Sequence, residues 1–155
     1  MHLHPDFKDL LAAFAAERVE YLLVGGYAVA FHGRPRFTKD IDLWLGPGDE
    51  NLARTARAIE VFGVPPSIVE SVQHLGRDEI VFFGRPPARV DLIRDLAGVD
   101  FEAANARRVD TSWDGVPVRV LGLGDLLAAK KAAAREQDLA DVRELEKARD
   151  STSRK

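Results

Sequence analysis

Residues 21–45 read YLLVGGYAVAFHGRPRFTKDIDLWL, and the reading of the whole fold turns on this stretch. Tyr21–Val24 is a short aromatic and β-branched run that stops at Gly25-Gly26, the pattern of a buried strand running into a tight turn. Residues 27–32 are apolar and are closed by Gly33 with Pro35 beyond, which predicts a short helix. Residues 41–45 alternate with their neighbours as a strand does, and Gly46-Pro47-Gly48 stops them. Residues i and i+2 of a strand point to one side, so Asp40 and Asp42 project together while Ile41, Leu43 and Leu45 turn to the core.

Two ionised carboxylates held side by side repel each other, and burying either one costs free energy. A divalent cation removes that conflict, and hard oxygen ligands select Mg2+ or Mn2+ over zinc. Taken alone, an Asp-x-Asp is more often merely the solvated face of an edge strand. Its surroundings argue otherwise. Asp91, flanked by Val90 and Leu92, repeats the arrangement on a second predicted strand and supplies a third acid. Gly25-Gly26, after a strand and before a helix, offers backbone N–H groups to a phosphate, besides serving a turn of positive φ. Arg36 and Thr38 stand just before Asp40, with a guanidinium fork and a hydroxyl for a triphosphate.

Outward from this block, Pro5 opens a helix on which Phe7, Leu10, Leu11 and Phe14 share a face. Asp49 is the expected cap of a helix running to about Phe62, Pro65-Pro66 break the chain, and residues 67–77 incline to helix. Residues 79–83 and 89–93 read as two strands, and residues 101–108 as a helix. Residues 109–113 and 116–120 flank Asp114-Gly115, the strongest hairpin signal in the chain. From Asp125 onward the composition is helical, with a break near Arg135, Asp138 as the expected N-cap of the last helix and residues 151–155 as a frayed tail. The fold class is therefore α+β: a mixed sheet with helices packed on it and a C-terminal helical segment, in one domain over residues 1–150.

With 155 residues and 46% apolar composition, the chain can build a core without staples. The absence of cysteine excludes disulfides, zinc–thiolate sites and thiol nucleophiles. A net charge of −3 argues against a dedicated nonspecific nucleic-acid binder, which would usually be clearly basic. Basic residues gather only locally, at Arg34, Arg36 and Lys39, at Arg107 and Arg108, and at Lys130, Lys131 and Arg135. The longest apolar run, residues 21–31, is interrupted by glycines and falls short of the roughly 20 residues a membrane span requires. Its first residues also lack a signal-peptide layout, so a cytoplasmic protein without a membrane partner is expected.

The run VGGYAVAFHG at residues 24–33, followed by Arg36-x-Thr38-x-Asp40-Ile41-Asp42-Leu43, resembles the polymerase-β-like nucleotidyltransferase superfamily. It is most similar to the small bacterial branch related to AbiEii-type toxins of abortive-infection and toxin–antitoxin systems. Asp91 stands where that superfamily carries its third acid. DLLAAK at residues 125–130, then Arg135-x-x-Asp138-x-x-Asp141, is similar to the branch's C-terminal helical motif. Ala134 stands where relatives often carry glycine, which implies a weaker break between the last helices.

The resemblance implies a nucleotidyltransferase, dependent on Mg2+ or Mn2+, that moves a nucleoside monophosphate from a nucleoside triphosphate (NTP) to an acceptor hydroxyl. The acceptor would be an RNA end or a protein side chain, and a cognate antitoxin or toxin protein the partner. The alternatives are adenylylation of a small antibiotic and a nucleotide-binding, antitoxin-like module with weak catalysis. By resemblance, Asp40 and Asp42 hold the metal that bridges the β- and γ-phosphates. Asp91 joins them for a second metal and helps activate the attacking hydroxyl. Gly25, Gly26, Arg36 and Thr38 grip the triphosphate, with Lys130 and Arg135 approaching from the helical side. Asp138 or Asp141 could instead pair with Lys130 or Arg135 and orient it. For His32 a structural role is expected, and Trp44, on the carboxylate side of its strand, either packs or walls the site.

Overall fold

The protein is described by a computed structural model covering residues 3–33, 38 and 40–153. Its strands are β1 (Tyr21–Val24), β2 (Asp40–Leu45), β3 (Ile80–Phe83), β4 (Arg89–Ile93), β5 (Val109–Trp113) and β6 (Val116–Val120). They form one sheet in the order β3-β4-β2-β1-β6-β5. β2 runs parallel to β4 and β1 parallel to β6, and the remaining neighbours are antiparallel. The helices are α1 (Pro5–Ala16), α2 (Gly25–His32), α3 (Asp49–Phe62), α4 (Pro66–Gln73), α5 (Phe101–Ala106), α6 (Leu123–Ala133) and α7 (Glu136–Ser153). The α+β class and the mixed sheet expected from the sequence are what the chain adopts.

The two-residue period of the strands sorts the sheet into two unlike faces. One face carries Ile41, Leu43, Leu45, Val90 and Leu92, all fully or almost fully buried. Helices α1 and α3 cover it, Phe14 meeting Tyr21 edge-on at 5.4 Å and Phe62 lying 6.2 Å from Phe83. The other face carries Asp40, Asp42 and Trp44 on β2 beside Arg89, Asp91 and Ile93 on β4, in register. Here α5 packs Phe101 edge-on against Trp44 at 5.1 Å, and α6 and α7 close over the Asp42 end. Trp44 is buried, so packing is its role at this end of the strand.

Five local details differ from the sequence expectations. Gly25-Gly26 is no separate turn but the first turn of α2, which follows β1 directly. Asp49 is the first helical residue of α3, and Gly48, whose φ of 104° suits only glycine, takes the cap position. Asp138 lies within the first turn of α7 rather than at its cap, and its carboxylate accepts from the backbone N–H of Arg135. The break between α6 and α7 is complete despite the missing glycine, because Ala134 itself takes the left-handed conformation at φ 53°. Helix α7 continues to Ser153, so the chain stays helical through most of the stretch expected to fray. The hairpin is as read: Asp114 and Gly115 both have positive φ, the geometry of a type I′ turn.

Candidate active site

The register of the sheet builds the site. Asp42 lies opposite Asp91 across the parallel β2–β4 pair and opposite Val24, the last residue of β1, on its other side. The side chains of Asp42 and Asp91 hydrogen-bond to each other. Immediately after Val24 the chain turns into α2 through Gly25, at φ 66°. A Cβ on Gly25 would collide with the Asp42 carboxylate, so glycine is required there both for the backbone angle and for the space. The close approach brings the uncapped N-terminus of α2, which has no side chain on its free N–H groups, up to the carboxylate pair.

Burial, foremost, pushes the Asp42 carboxyl up to about 7; the neighbouring charge and hydrogen bond of Asp91 add to this, then the charge of Asp40. Lys130 pulls it the other way. Asp42 thus keeps its proton to higher pH than an ordinary aspartate. Asp91 has its own cation, since Arg89, two residues before it on the same side of β4, donates from Nε to Oδ1 at 3.1 Å. Asp40 begins β2, half-buried on the same face.

Lys130 comes from α6. Its Nζ lies 3.3 Å from Asp138 Oδ1 and 3.1 Å from Asp141 Oδ2, and all three side chains are largely buried. Arg135 Nε donates to Asp138 Oδ2 at 2.6 Å, and that bond chiefly holds the Asp138 carboxyl below its ordinary range. Gly25, Asp42, Lys130, Arg135 and Asp138 line one recess of about 200 Å³, whose apolar wall includes Ile93, Leu96 and Leu126. A larger recess of about 300 Å³ beside Trp44, Arg94 and Phe101 contains none of the residues expected to handle phosphate.

Of the expected site residues, the fold therefore gathers Gly25, Asp42, Lys130 and Arg135 around one recess, with Asp91 hydrogen-bonded to Asp42 and Asp40 on the same face. Gly26 is the second residue of α2, and Thr38 is half-buried just before β2. Arg36 lies outside the described residues, as do Arg34 and Lys39. The other basic groups do not converge on the site: Arg107 forks onto Asp125 at 2.8 and 3.0 Å, Arg108 holds Asp110 and Lys131 holds Glu146. His32 has the expected structural role, its Nε2 lying 2.7 Å from the Leu121 carbonyl. Arg89 was missed in the sequence, although its spacing of two from Asp91 was signal enough.

The donor set suits a hard divalent cation. Two abutting carboxylates, one of them raised by burial and by its neighbour, offer anionic oxygens that a divalent cation would relieve of their repulsion. Among the described residues no group of three or more histidine or carboxylate side chains, the Asp40, Asp42 and Asp91 set included, is arranged to hold a metal ion by itself. Magnesium seldom relies on side chains alone, since it usually keeps several waters and takes phosphate oxygens from its substrate.

A mixed sheet whose paired acids face a glycine-started helix is the arrangement that the resemblance to nucleotidyltransferases implies. A family model described as the nucleotidyl transferase AbiEii toxin of type IV toxin–antitoxin systems matches residues 9–151, and the chain belongs to that family. It is a nucleotidyltransferase. No curated protein matches the chain. Among the described residues, no helix is long and apolar enough to cross a membrane.

Proposed function

We propose that this chain, acting as one domain, transfers a nucleoside monophosphate from an NTP to an acceptor hydroxyl, as the toxin of a pair with a cognate antitoxin. The observation that supports this most is the hydrogen-bonded Asp42–Asp91 pair, pressed against the N-terminus of α2 and shared with the recess that holds Lys130. Asp40, Asp42 and Asp91 are the residues that would hold Mg2+ or Mn2+. When bound, the cation neutralises triphosphate charge and sharpens the electrophile.

The chain's own groups supply the remainder. The free N–H groups of Gly25 and Gly26 face a phosphate oxygen without reorganising, because α2 is fixed to β1. Lys130, held between Asp138 and Asp141, presents its ammonium at a fixed place in the recess, and Thr38 and Arg36 complete the grip on the triphosphate. Asp91 takes the proton of the acceptor hydroxyl as its oxygen bonds to the α-phosphorus, and the bond to pyrophosphate breaks. Positioning and charge neutralisation carry such a transfer, and both are properties of these elements.

The test is incubation of the purified chain with each of the four α-labelled nucleoside triphosphates, magnesium, and total cellular RNA or protein. Labelled product that disappears with Asp91→Asn is expected. No labelled product with any nucleotide would overturn the proposal.

A further inference from the structure

The carboxylate face does not end at Asp91. β3, the edge strand, pairs antiparallel with β4 and sets Phe82 opposite Asp91, so that Asp42, Asp91 and Phe82 form one row across three strands of a single face. Opposed residues on neighbouring strands hold their side chains about 5 Å apart on the same side. Phe82 is nevertheless 55% exposed, whereas Val81 and Phe83, on the other face of β3, are buried. The Arg89 guanidinium lies over its ring, 4.3 Å from the centroid. That guanidinium also holds Asp91 at 3.1 Å. An aromatic plane, a stacked guanidinium and an acid are thus joined in one unit at the open edge of the site. Arg85, exposed in the loop between β3 and β4, adds a second cation beside it.

Among the described residues no helix side chain is recorded against the Phe82 ring as Phe101 of α5 is against Trp44. Stacked aromatic and guanidinium planes are the surface on which unpaired nucleobases rest, and exposed arginines suit the phosphates between them. Phe82 and Asp91 stand one inter-strand spacing apart, ~5 Å, and a ribose is joined directly to its base. A base on Phe82 therefore leaves its sugar over Asp91, the acid assigned to the acceptor proton. Resting on the reaction proposed above, we infer that Phe82 and Arg89 form the acceptor-side platform, and that the acceptor is a single-stranded RNA whose reacting nucleotide stacks there. Phe82 is a positioning residue that selects a base-bearing acceptor over a protein hydroxyl.

Two readouts separate this inference from the reaction itself. Binding of a short fluorescein-labelled single-stranded RNA is measured by anisotropy without nucleotide or metal, for the full chain and for Phe82→Ala, Phe82→Trp and Val61→Ser. Val61, also exposed but on α3, is the control. Transfer kinetics are measured on the same proteins. Loss of one stacked base weakens binding about tenfold or more. Phe82→Ala is expected to raise both the RNA Kd and the RNA KM by that factor while leaving the KM for the nucleotide and kcat unchanged. Phe82→Trp restores both, and Val61→Ser changes neither. RNA binding that depends on Phe82 in a chain that transfers nothing would remove the reaction and keep the platform. Transfer or RNA binding indifferent to Phe82→Ala would remove the platform and keep the reaction, as would label appearing on protein alone with no RNA bound.

Discussion

Asp42→Asn is expected to make the metal-free protein more stable and inactive. Folding buries the Asp42 carboxyl beside Asp91 and Asp40 and moves its pKa from 3.8 to about 7. A carboxyl raised by folding contributes stability that is fully present below its unfolded value and is lost as pH rises through the folded one. The window is therefore from about pH 4 to about pH 7, and the loss is carried by the native state, which must ionise against its neighbours. At about 1.4 kcal/mol for each tenfold change in proton affinity, this amounts to about 4 kcal/mol by pH 8. Asparagine keeps the shape, carries no charge, and can donate its amide hydrogen to Asp91. For a chain of this length the gain corresponds to a Tm about 10 °C higher than wild type at pH 8.

The assay is calorimetric melting of both proteins from pH 4 to pH 8 in chelator, repeated with magnesium. The two proteins should melt alike near pH 4 and diverge as pH rises. Magnesium should raise the wild-type Tm at pH 8 and do little for the variant, because the ion offsets the charge that burial and Asp91 disfavour on Asp42. A variant no more stable than wild type at pH 8, or equally stabilised at pH 4, would refute the reasoning.

Gly25→Ala forces a side chain into the left-handed region at a cost of about 1–2 kcal/mol and displaces the Asp42 carboxylate, so the urea midpoint and transfer rate should fall together. Lys130→Met leaves Asp138 and Asp141 buried around an apolar side chain, and urea unfolding should show a loss of about 3–5 kcal/mol. Ala134→Gly relieves the positive φ between α6 and α7; with the extra freedom of the unfolded chain deducted, thermal melting should show a gain of about 0.5–1 kcal/mol.

The strands and most helices were legible because each is written in a local period. Alternation marked β2 and β4, Asp114-Gly115 marked the hairpin, and Pro5 marked the start of α1. What was misplaced lay at helix ends, where competition among backbone groups decides the boundary. Gly48 took the position expected for Asp49, and Ala134 accepted a left-handed angle where the chain turns so that α7 packs back against α6 and α2. Asp138, expected either as the cap of α7 or as a partner of Lys130 or Arg135, serves both cations from within the first turn of the helix.

By itself the sequence determined that Asp40 and Asp42 share a side of one strand, since that follows from a period of two within three residues. It also determined that Asp91 stands between apolar neighbours on another. Only the tertiary structure decided that Asp42, not Asp40, is the acid that touches Asp91, because this depends on the register between β2 and β4, and register is a contact between residues far apart in the chain. It likewise decided which basic groups belong to the site. Lys130 reaches the recess while Arg107 and Arg108 are drawn to Asp125 and Asp110, a choice made by where α6 crosses the sheet. The exposed ring of Phe82 belongs to the same class of fact: its residue type was visible, but its place in the row with Asp91 was created only when β3 joined the edge.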